Sequence, residues 1–291
     1  MATLKDIKRK ITAVKKTQQI TRAMNMVAAS KLRGAQQKME NFRPYAAKFK
    51  EVMNSLASRI EPDIHPLLIQ PEEVRRIELL AFTSDRGLCG SFNMNTISAV
   101  DKFEAQKKAQ GTEVSLTLVG RKARDYFRRR PVKVNKSYGD VMTSFDFTNA
   151  AQLAGEAMDL FLGDEVQEVW MYYTHFASVA RQAVTLAKIL PITAEDGPGA
   201  YSPGMTEYLC EPSVEGIMIE LLPRSVSIQI YNAMLETSTS EHAARMAAMD
   251  NATKNCKEMI QDLTLAYNKA RQAAITAELM DIVGGAEALR S

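Results

Sequence analysis

Apolar and small side chains recur along the first sixty residues at steps that alternate between three and four. This period predicts a helix whose apolar seam runs for about eight heptads, as in a coiled coil. The seam is polar over one stretch, at Gln18, Thr21 and Asn25, and Pro44 predicts only a local bend. The other seam positions are Leu4, Ile7, Ile11, Val14, Ala28, Leu32, Ala35, Met39, Phe42, Ala46, Phe49, Met53, Leu56 and Ile60.

The last eighty residues repeat this period, again with one polar stretch, formed by Ser238, His242 and Arg245. If the two polar stretches face each other in an antiparallel pair, Thr21 lies opposite His242 and Ile7 opposite Cys256. Slipping the pair by one heptad would place apolar side chains against polar ones, so this register is the predicted one. The apolar seam positions are Ile228, Tyr231, Leu235, Met249, Ala252, Cys256, Met259, Leu263, Ala266, Ala270, Ala273, Ala277 and Met280.

The predicted register has a consequence for the C-terminus. About 30 residues beyond about residue 262 would project from the pair as a lone helix. Their seam is mostly alanine, which is too thin to form a core of its own. We therefore expect other chains to provide a sleeve around this helix.

The middle of the chain has a different period, in which short buried strands alternate with helical segments. This alternation predicts a small open α/β sheet, mixed or parallel. The predicted strands are 76–84, 114–119 and 166–174, and the predicted helices are 93–109 and 148–163. Proline and glycine clusters at 61–62, 65–66, 197–199 and 202–204 mark the joins. The predicted fold is thus α+β: a long antiparallel two-helix coiled coil from residues 1–62 and 212–291, with an inserted Rossmann-like α/β domain at 70–208.

Charge is divided unevenly along the chain. Residues 1–60 contain 14 Lys and Arg against 3 Asp and Glu, a net of +11, and the remainder carries 23 basic and 31 acidic residues, a net of −8. A basic arm indicates nucleic acid, an anionic surface or an acidic protein as partner. No aromatic residue is interleaved among residues 5–33, so platforms for stacking RNA bases are missing. An acidic protein partner is therefore favoured, with a coiled-coil RNA-binding protein as the alternative.

One segment resembles a site for chemistry, because Asp85–Ser91 lies between a predicted strand and a predicted helix, where α/β proteins place phosphate loops or nucleophiles. Its spacing fits neither common phosphate-loop motif. A structural turn is therefore favoured over an enzyme that uses Cys89. His65, His175 and His242 lack zinc-type spacing and are expected to be structural. No catalytic residue, cofactor or metal site is predicted.

The number and spacing of the cysteines, together with hydropathy, indicate the cellular compartment. The three cysteines, Cys89, Cys210 and Cys256, are odd in number and far apart, which favours a reducing compartment. No run of 18 uncharged apolar residues occurs, so no membrane-spanning helix is predicted.

Longer motifs occur in order along the whole chain. They are Lys5–Lys8, Thr17–Thr21, Met24–Lys31, Ser84–Gly90, Arg245–Met249, Tyr267–Gln272 and Ile275-Thr276, followed by Glu278, Asp281, Gly285 and Ala286. Together they resemble the gamma subunits of F-type ATP synthases, including the turn after the first strand of that family's inserted domain. The regulatory cysteine pair of plant plastid members has no counterpart here, so a bacterial member is expected.

The resemblance implies a non-catalytic rotor shaft. Its C-terminal helix would sit inside a ring of three alpha and three beta subunits, and its lower part would stand on the c-subunit ring beside the epsilon subunit. Rotation of the c ring by protons would be coupled to ATP synthesis or, in reverse, to hydrolysis. No nucleic acid or cofactor is implied, and association with the cytoplasmic face of the bacterial inner membrane would be indirect. The implied contacts with the catalytic ring are Arg22, Met24, Arg245, Arg271, Gln272, Thr276 and Glu278.

Overall fold

The computed structural model describes residues 3–57, 65–192 and 213–288. Helix α1 spans Leu4–Ala57 and helix α5 spans Val214–Ala288. Thr3 and Asp6 start α1 with a capping box, since Thr3 Oγ1 accepts from Asp6 N and the Asp6 carboxylate accepts from Thr3 N. The breaks predicted at 61–62, 197–199 and 202–204, together with Ile60 and Cys210, lie outside the described residues.

In the described residues between α1 and α5 there are five strands and three α-helices. The strands are β1 Arg76–Phe82, β2 Glu113–Val119, β3 Lys133–Tyr138, β4 Glu168–Ser178 and β5 Arg181–Leu190. The helices are α2 Phe92–Ala109, α3 Arg121–Phe127 and α4 Phe147–Leu162. The chain divides into two compact units, one of residues 29–245 and one of residues 1–28 with 246–291.

The unit of residues 29–245 is built on one mixed sheet with the strand order β3-β2-β1-β4-β5. The first four strands are parallel, and β5 returns antiparallel to β4 as a hairpin. The predicted Rossmann-like α/β character is therefore confirmed. The strands β3 and β5 were not predicted, because β3 is a polar edge strand and β5 is only half-buried over most of its length.

The two faces of the sheet pack against different helices. On β1, the alternate residues Ile77, Leu79 and Ala81 point towards a core that includes side chains of α2 and α3. Leu80 and Phe82 point to the opposite face, where α4 and the parts of α1 and α5 in this unit form the larger core. Helix α5 packs on one face of the sheet, so a helix of the coiled coil also contributes to the core of the α/β domain.

The predicted seam of α1 is confirmed, because each of its positions from Leu4 to Leu56 is buried or half-buried. In α5 beyond Met249 the predicted seam is correct at Ala252, Cys256, Leu263 and Ala270, which are half-buried. It is wrong at the exposed positions Met259, Ala266, Ala273, Ala277 and Met280, and the half-buried positions beside the first three are Ile260, Tyr267 and Ala274. Within the described residues, no helix is long and apolar enough to cross a lipid bilayer.

The predicted register of the helix pair is wrong by about ten residues. In the unit of residues 1–28 with 246–291, the hydroxyls of Thr21 and Thr253 are 2.8 Å apart. Asn25 Nδ2 donates to the carbonyl of Met246 at 2.9 Å. Thr21 therefore lies opposite Thr253 and not opposite His242. In the polar stretch of α5, Arg245 bonds to Glu241 and to the turn after β1, and His242 bonds to Arg245, so neither needs the polar stretch of α1 as a partner.

Candidate functional site

The turn after β1 is organised by the carboxylate of Asp85, which is 5% exposed. Its Oδ1 accepts from the backbone N–H groups of Arg121 and Asp140, at 3.0 and 2.9 Å, and its Oδ2 accepts from Thr143 Oγ1. One side chain thus joins the loops that follow β1, β2 and β3. The segment Asp85–Ser91 is the structural turn that was predicted.

Glycine is required at one position beside this turn. Gly120 has a φ of +104°, and a Cβ placed there would lie 2.2 Å from the carbonyl oxygen of Thr83. The close approach lets Thr83 N donate to the Val119 carbonyl at 2.8 Å and lets Thr83 Oγ1 accept from Ala123 N. This close backbone contact holds the carboxyl ends of β1 and β2 together.

Cys89 lies in the turn with the surroundings of a structural thiol. It is 2% exposed, and Asn93 Nδ2 donates to its Sγ at 3.1 Å. Burial raises the pKa of the Cys89 thiol, and the nearby Arg245 guanidinium opposes this only in part. A buried thiol with a raised pKa is a poor nucleophile at neutral pH, so the geometry gives no support to an enzyme that uses Cys89.

Arg245, a predicted contact residue, is bound within its own unit. Its Nη2 lies 2.5 Å from Glu241 Oε1 and donates to the Gly87 carbonyl at 3.2 Å and the Arg86 carbonyl at 3.3 Å. The side chains of Arg245 and Glu241 are 11% and 8% exposed. The guanidinium therefore fastens α5 to the turn after β1.

This buried charge pair changes the protonation of its neighbours. Burial raises the pKa of the Glu241 carboxyl, while the charges of Arg245 and Lys31 act in the opposite direction. Burial, followed by the charges of Arg245 and Lys31, lowers the pKa of His242 to about 4. His242 is therefore neutral at pH 7 and accepts a hydrogen bond from Arg245 Nη1 at 3.4 Å.

The other two histidines also have structural contacts. His65 Nδ1 accepts from Leu67 N at 3.1 Å and caps a short 3-10 helix, Pro66–Leu68. His175 Nδ1 lies 2.6 Å from Glu236 Oε2. No group of histidine, cysteine and carboxylate side chains in the described residues could hold a metal ion.

Arg22 and Met24, the contact residues predicted on α1, lie in the other unit. Arg22 is exposed and Met24 half-buried, next to the Thr21 and Asn25 hydrogen bonds to α5. The same region of α1 carries three exposed apolar side chains, Ile20, Met26 and Val27. A cationic and apolar surface of this kind suits a partner protein with both carboxylates and apolar groups.

The contact residues predicted on α5, Arg271, Gln272, Thr276 and Glu278, are all exposed. They begin 18 residues beyond Thr253, or about 27 Å along the helix, so they form a group separate from Arg22 and Met24. With Thr21 opposite Thr253, the start of α1 lies opposite about residue 270. The unpartnered end of α5 is thus shorter than the predicted 30 residues.

Beyond Ala274 every described side chain, through Ala286, is exposed. Five of these are large and apolar: Ile275, Leu279, Met280, Ile282 and Val283. We call residues 275–286 the tip of α5. This end of the helix carries a broad apolar face that has no partner in the described part of the chain.

Sequence patterns did not reveal the burial of Glu236–Glu241 on α5. The six residues are polar, yet none is more than 8% exposed. Ser240 Oγ donates to the Thr174 carbonyl, Thr237 Oγ1 accepts from Thr174 N at 3.4 Å, and Glu236 contacts His175. Only the end of β4, which is distant in sequence, provides these partners, so heptad analysis could not find them.

Fold and site together define a two-helix coiled-coil protein with an inserted α/β domain, whose buried polar groups hold the fold together. The model of the family described as ATP synthase matches residues 3–289. The gamma chain of ATP synthase from Syntrophobacter fumaroxidans is 55% identical, and that from Maridesulfovibrio salexigens 50%, each over the full length of both chains. The chain therefore belongs to the ATP synthase gamma-chain family. The rotor role, that of a central stalk subunit in the complex, follows from the family, whereas RNA binding has no support.

Solved structures agree with this assignment. A chain from the central stalk and c ring of the Tetrahymena thermophila mitochondrial ATP synthase is 25% identical with a TM-score of 0.59, covering 80% of this chain and 99% of that one. A chain of the Euglena gracilis mitochondrial ATP synthase is 20% identical with a TM-score of 0.66, covering 98% and 94%. The second likeness bears on the fold alone, and it supports the coiled coil with its α/β domain.

Proposed function

We propose that this chain is the non-catalytic rotor shaft of a bacterial F-type ATP synthase, which couples rotation of a proton-driven c ring to ATP synthesis or hydrolysis in a ring of alpha and beta subunits. The observation that carries the proposal is the tip of α5. Met280 and Ile282 are each 67% exposed there. A helix of this kind frays in water unless other chains surround it.

The partners follow from the two ends of the shaft. The tip, with Arg271, Gln272, Thr276 and Glu278, would contact the apolar collar of an alpha and beta ring. Arg22 and Met24 would meet acidic residues of the ring lower down, together with Arg245. The remaining partners are an epsilon subunit and the c ring, which accompanies the central stalk in the Tetrahymena structure.

The contacts of Arg245 within this chain limit how it could bind a residue of the ring. Its guanidinium is bound to Glu241 and to the carbonyls of Arg86 and Gly87. It would meet a partner carboxylate only at its exposed edge, or by exchanging one of these contacts. Membrane association would be indirect, at the cytoplasmic face of the inner membrane.

Reconstitution tests the proposal. The full chain is mixed with alpha and beta subunits from its own source, and the size and ATP hydrolysis of the product are measured. We expect a complex of three alpha, three beta and one copy of this chain that hydrolyses ATP. Failure to form any complex would contradict the proposal.

A shortened variant that ends at Ala274 is the matched comparison. It lacks the tip but keeps the Thr21–Thr253 contact and the α/β domain. We expect its circular dichroism to retain the folded signal while its complex forms less completely and hydrolyses ATP more slowly. Unchanged assembly and hydrolysis would show that the tip is not the element that the ring surrounds.

A further inference from the structure

A cleft of about 240 Å³ opens between α1, α5 and the segment that joins β3 to α4. We call it the Lys31 cleft. On α1 it is bordered by Lys31 and Lys38, which are two helical turns and about 10 Å apart. Between them lie Gly34 and Ala35, and a Cβ added at Gly34 would meet no atom within 4 Å. The small residues leave the space between the two ammonium groups open.

The wall of the cleft on α5 contains a hydroxyl that the fold does not use. Ser238 is 7% exposed and lines the cleft. Its neighbours Thr239 and Ser240 donate to the carbonyls of Leu235 and Thr174. The Ser238 hydroxyl, in contrast, has no hydrogen-bond partner among the described residues. Among the described residues, the side-chain atoms that are both fully buried and unpaired are Thr96 Oγ1 and Thr174 Oγ1. Ser238 Oγ is thus accessible and can donate to a ligand in the cleft.

The other wall adds one more hydroxyl group that can donate. Thr143 and Ser144, which follow β3, line the cleft opposite α5. Thr143 Oγ1 donates its hydrogen to Asp85 and has none for an anion, whereas the Ser144 hydroxyl is exposed and can donate. Hydroxyls beside ammonium groups are typical ligands of phosphate and sulfate oxygens.

The charge around the cleft is positive. None of the residues that line it in the described part of the chain is acidic. Two carboxylates lie next to lining residues: Glu241, which is paired with Arg245, and Asp85, which accepts from Thr143 Oγ1. Burial, followed by the charges of Arg245 and Lys31, lowers the pKa of His242 on the cleft wall. The described lining residues thus carry two ammonium groups and no carboxylate.

We propose that the Lys31 cleft binds a tetrahedral oxyanion, held by the ammonium groups of Lys31 and Lys38 and by the hydroxyl of Ser238. The anion is either free phosphate or the terminal phosphate of a nucleotide. This site goes beyond the rotor role and places a small-molecule ligand on the shaft itself.

Titration of the full chain tests the site. The histidines are labelled with ¹³C, the His242 signal is assigned with a His242→Gln variant, and inorganic phosphate or ADP is added in separate series. We expect a saturable shift of the His242 signal and a rise of its titration midpoint, because a bound anion offsets the two cations. Saturation with phosphate alone indicates free phosphate as the ligand, and tighter saturation with ADP indicates a nucleotide.

Three variants identify the ligands of the anion. Lys31→Gln, Lys38→Gln and Ser238→Ala should each weaken the affinity by about tenfold, as expected for loss of one charge-assisted hydrogen bond. Arg33→Gln removes an exposed charge from the same helix without touching the cleft and should bind as tightly as the parent chain. Ser238→Ala removes a hydroxyl without a partner, so its fold should be intact. A response that never saturates, or that is equal in Arg33→Gln and Lys31→Gln, would overturn the proposal.

Discussion

Helix α5 contains two segments of similar length with opposite surroundings. Residues 233–241 are buried on every side, although six of the nine are polar. Residues 275–286, the tip, are exposed on every side, although five are large and apolar. Hydropathy alone would have assigned the two segments the other way round.

The difference shows that burial along this helix is set by which partners are present and not by side-chain polarity. The polar segment is tolerated inside because β4 and the turn after β1 supply hydrogen bonds and charge. The apolar tip is left outside because the described chain offers it nothing to pack against. The first segment has its partners within the protein, and the second has none among the described residues, as is typical of a surface that meets another chain.

The largest expected effect is the presence or absence of a disulfide between α1 and α5. It tests the register of the pair, which determines how much of α5 extends beyond α1. Thr21→Cys with Thr253→Cys should form a disulfide on mild oxidation, because the two hydroxyls are 2.8 Å apart. Ile7→Cys should not cross-link to the native Cys256, since the register places them about ten residues, or roughly 15 Å, apart. Mobility on non-reducing gels distinguishes the two outcomes, and the reverse result would restore the register predicted from the sequence.

Truncation of a methionine in each segment compares the two directly. Met234 is fully buried, so Met234→Ala should lower the free energy of unfolding by about 2–5 kcal/mol. Met280 is 67% exposed, and Met280→Ala should change it by less than about 0.5 kcal/mol. Urea unfolding followed by circular dichroism measures both. The rate of ATP hydrolysis per assembled complex should show the opposite order: Met280→Ala should lower this rate more than Met234→Ala does.

Loss of the Arg245 guanidinium should have an intermediate effect. Arg245→Ala leaves the buried Glu241 carboxylate without its partner, at a cost of about 3 kcal/mol. Adding Glu241→Gln should recover much of that stability. The complex should still assemble, but with fewer protons pumped per ATP hydrolysed. Unchanged proton pumping in Arg245→Ala would remove Arg245 from the contact residues.

The smallest net effect is a pH dependence, because the contribution of His242 is partly offset by that of Glu241. Its folded pKa of about 4 lies below the ordinary 6.5. Between these values the unfolded chain binds more protons, so the free energy of unfolding rises with pH, by on the order of 3 kcal/mol in all. Glu241 acts in the opposite sense, because its raised pKa favours the folded state as the pH falls. His242→Gln should therefore flatten the dependence between pH 4 and 6.5 in urea titrations, and an unaltered slope would contradict this origin.

Sequence patterns predicted the fold well where each element depends on its own period. The α1 seam, the strands β1, β2 and β4, and the helices α2 and α4 were all found in this way. The register of the helix pair was harder to predict. Arg245 in the polar stretch of α5 bonds to the turn after β1, so the polar stretches of the two helices do not have to face each other. The same reason hid the burial of Glu236–Glu241. The contact positions Arg22, Met24 and 271–278 came from family resemblance, since exposure alone does not identify a partner.

The exposed tip also bears on how many copies of this chain a cell would keep. A chain made in excess of its partners would display apolar side chains at a fraying helix end, and proteases act first on such ends. Entry into a complex would cover the same residues and remove the cleavage site. The feature that makes the shaft depend on its ring would then also match the supply of shafts to the supply of rings.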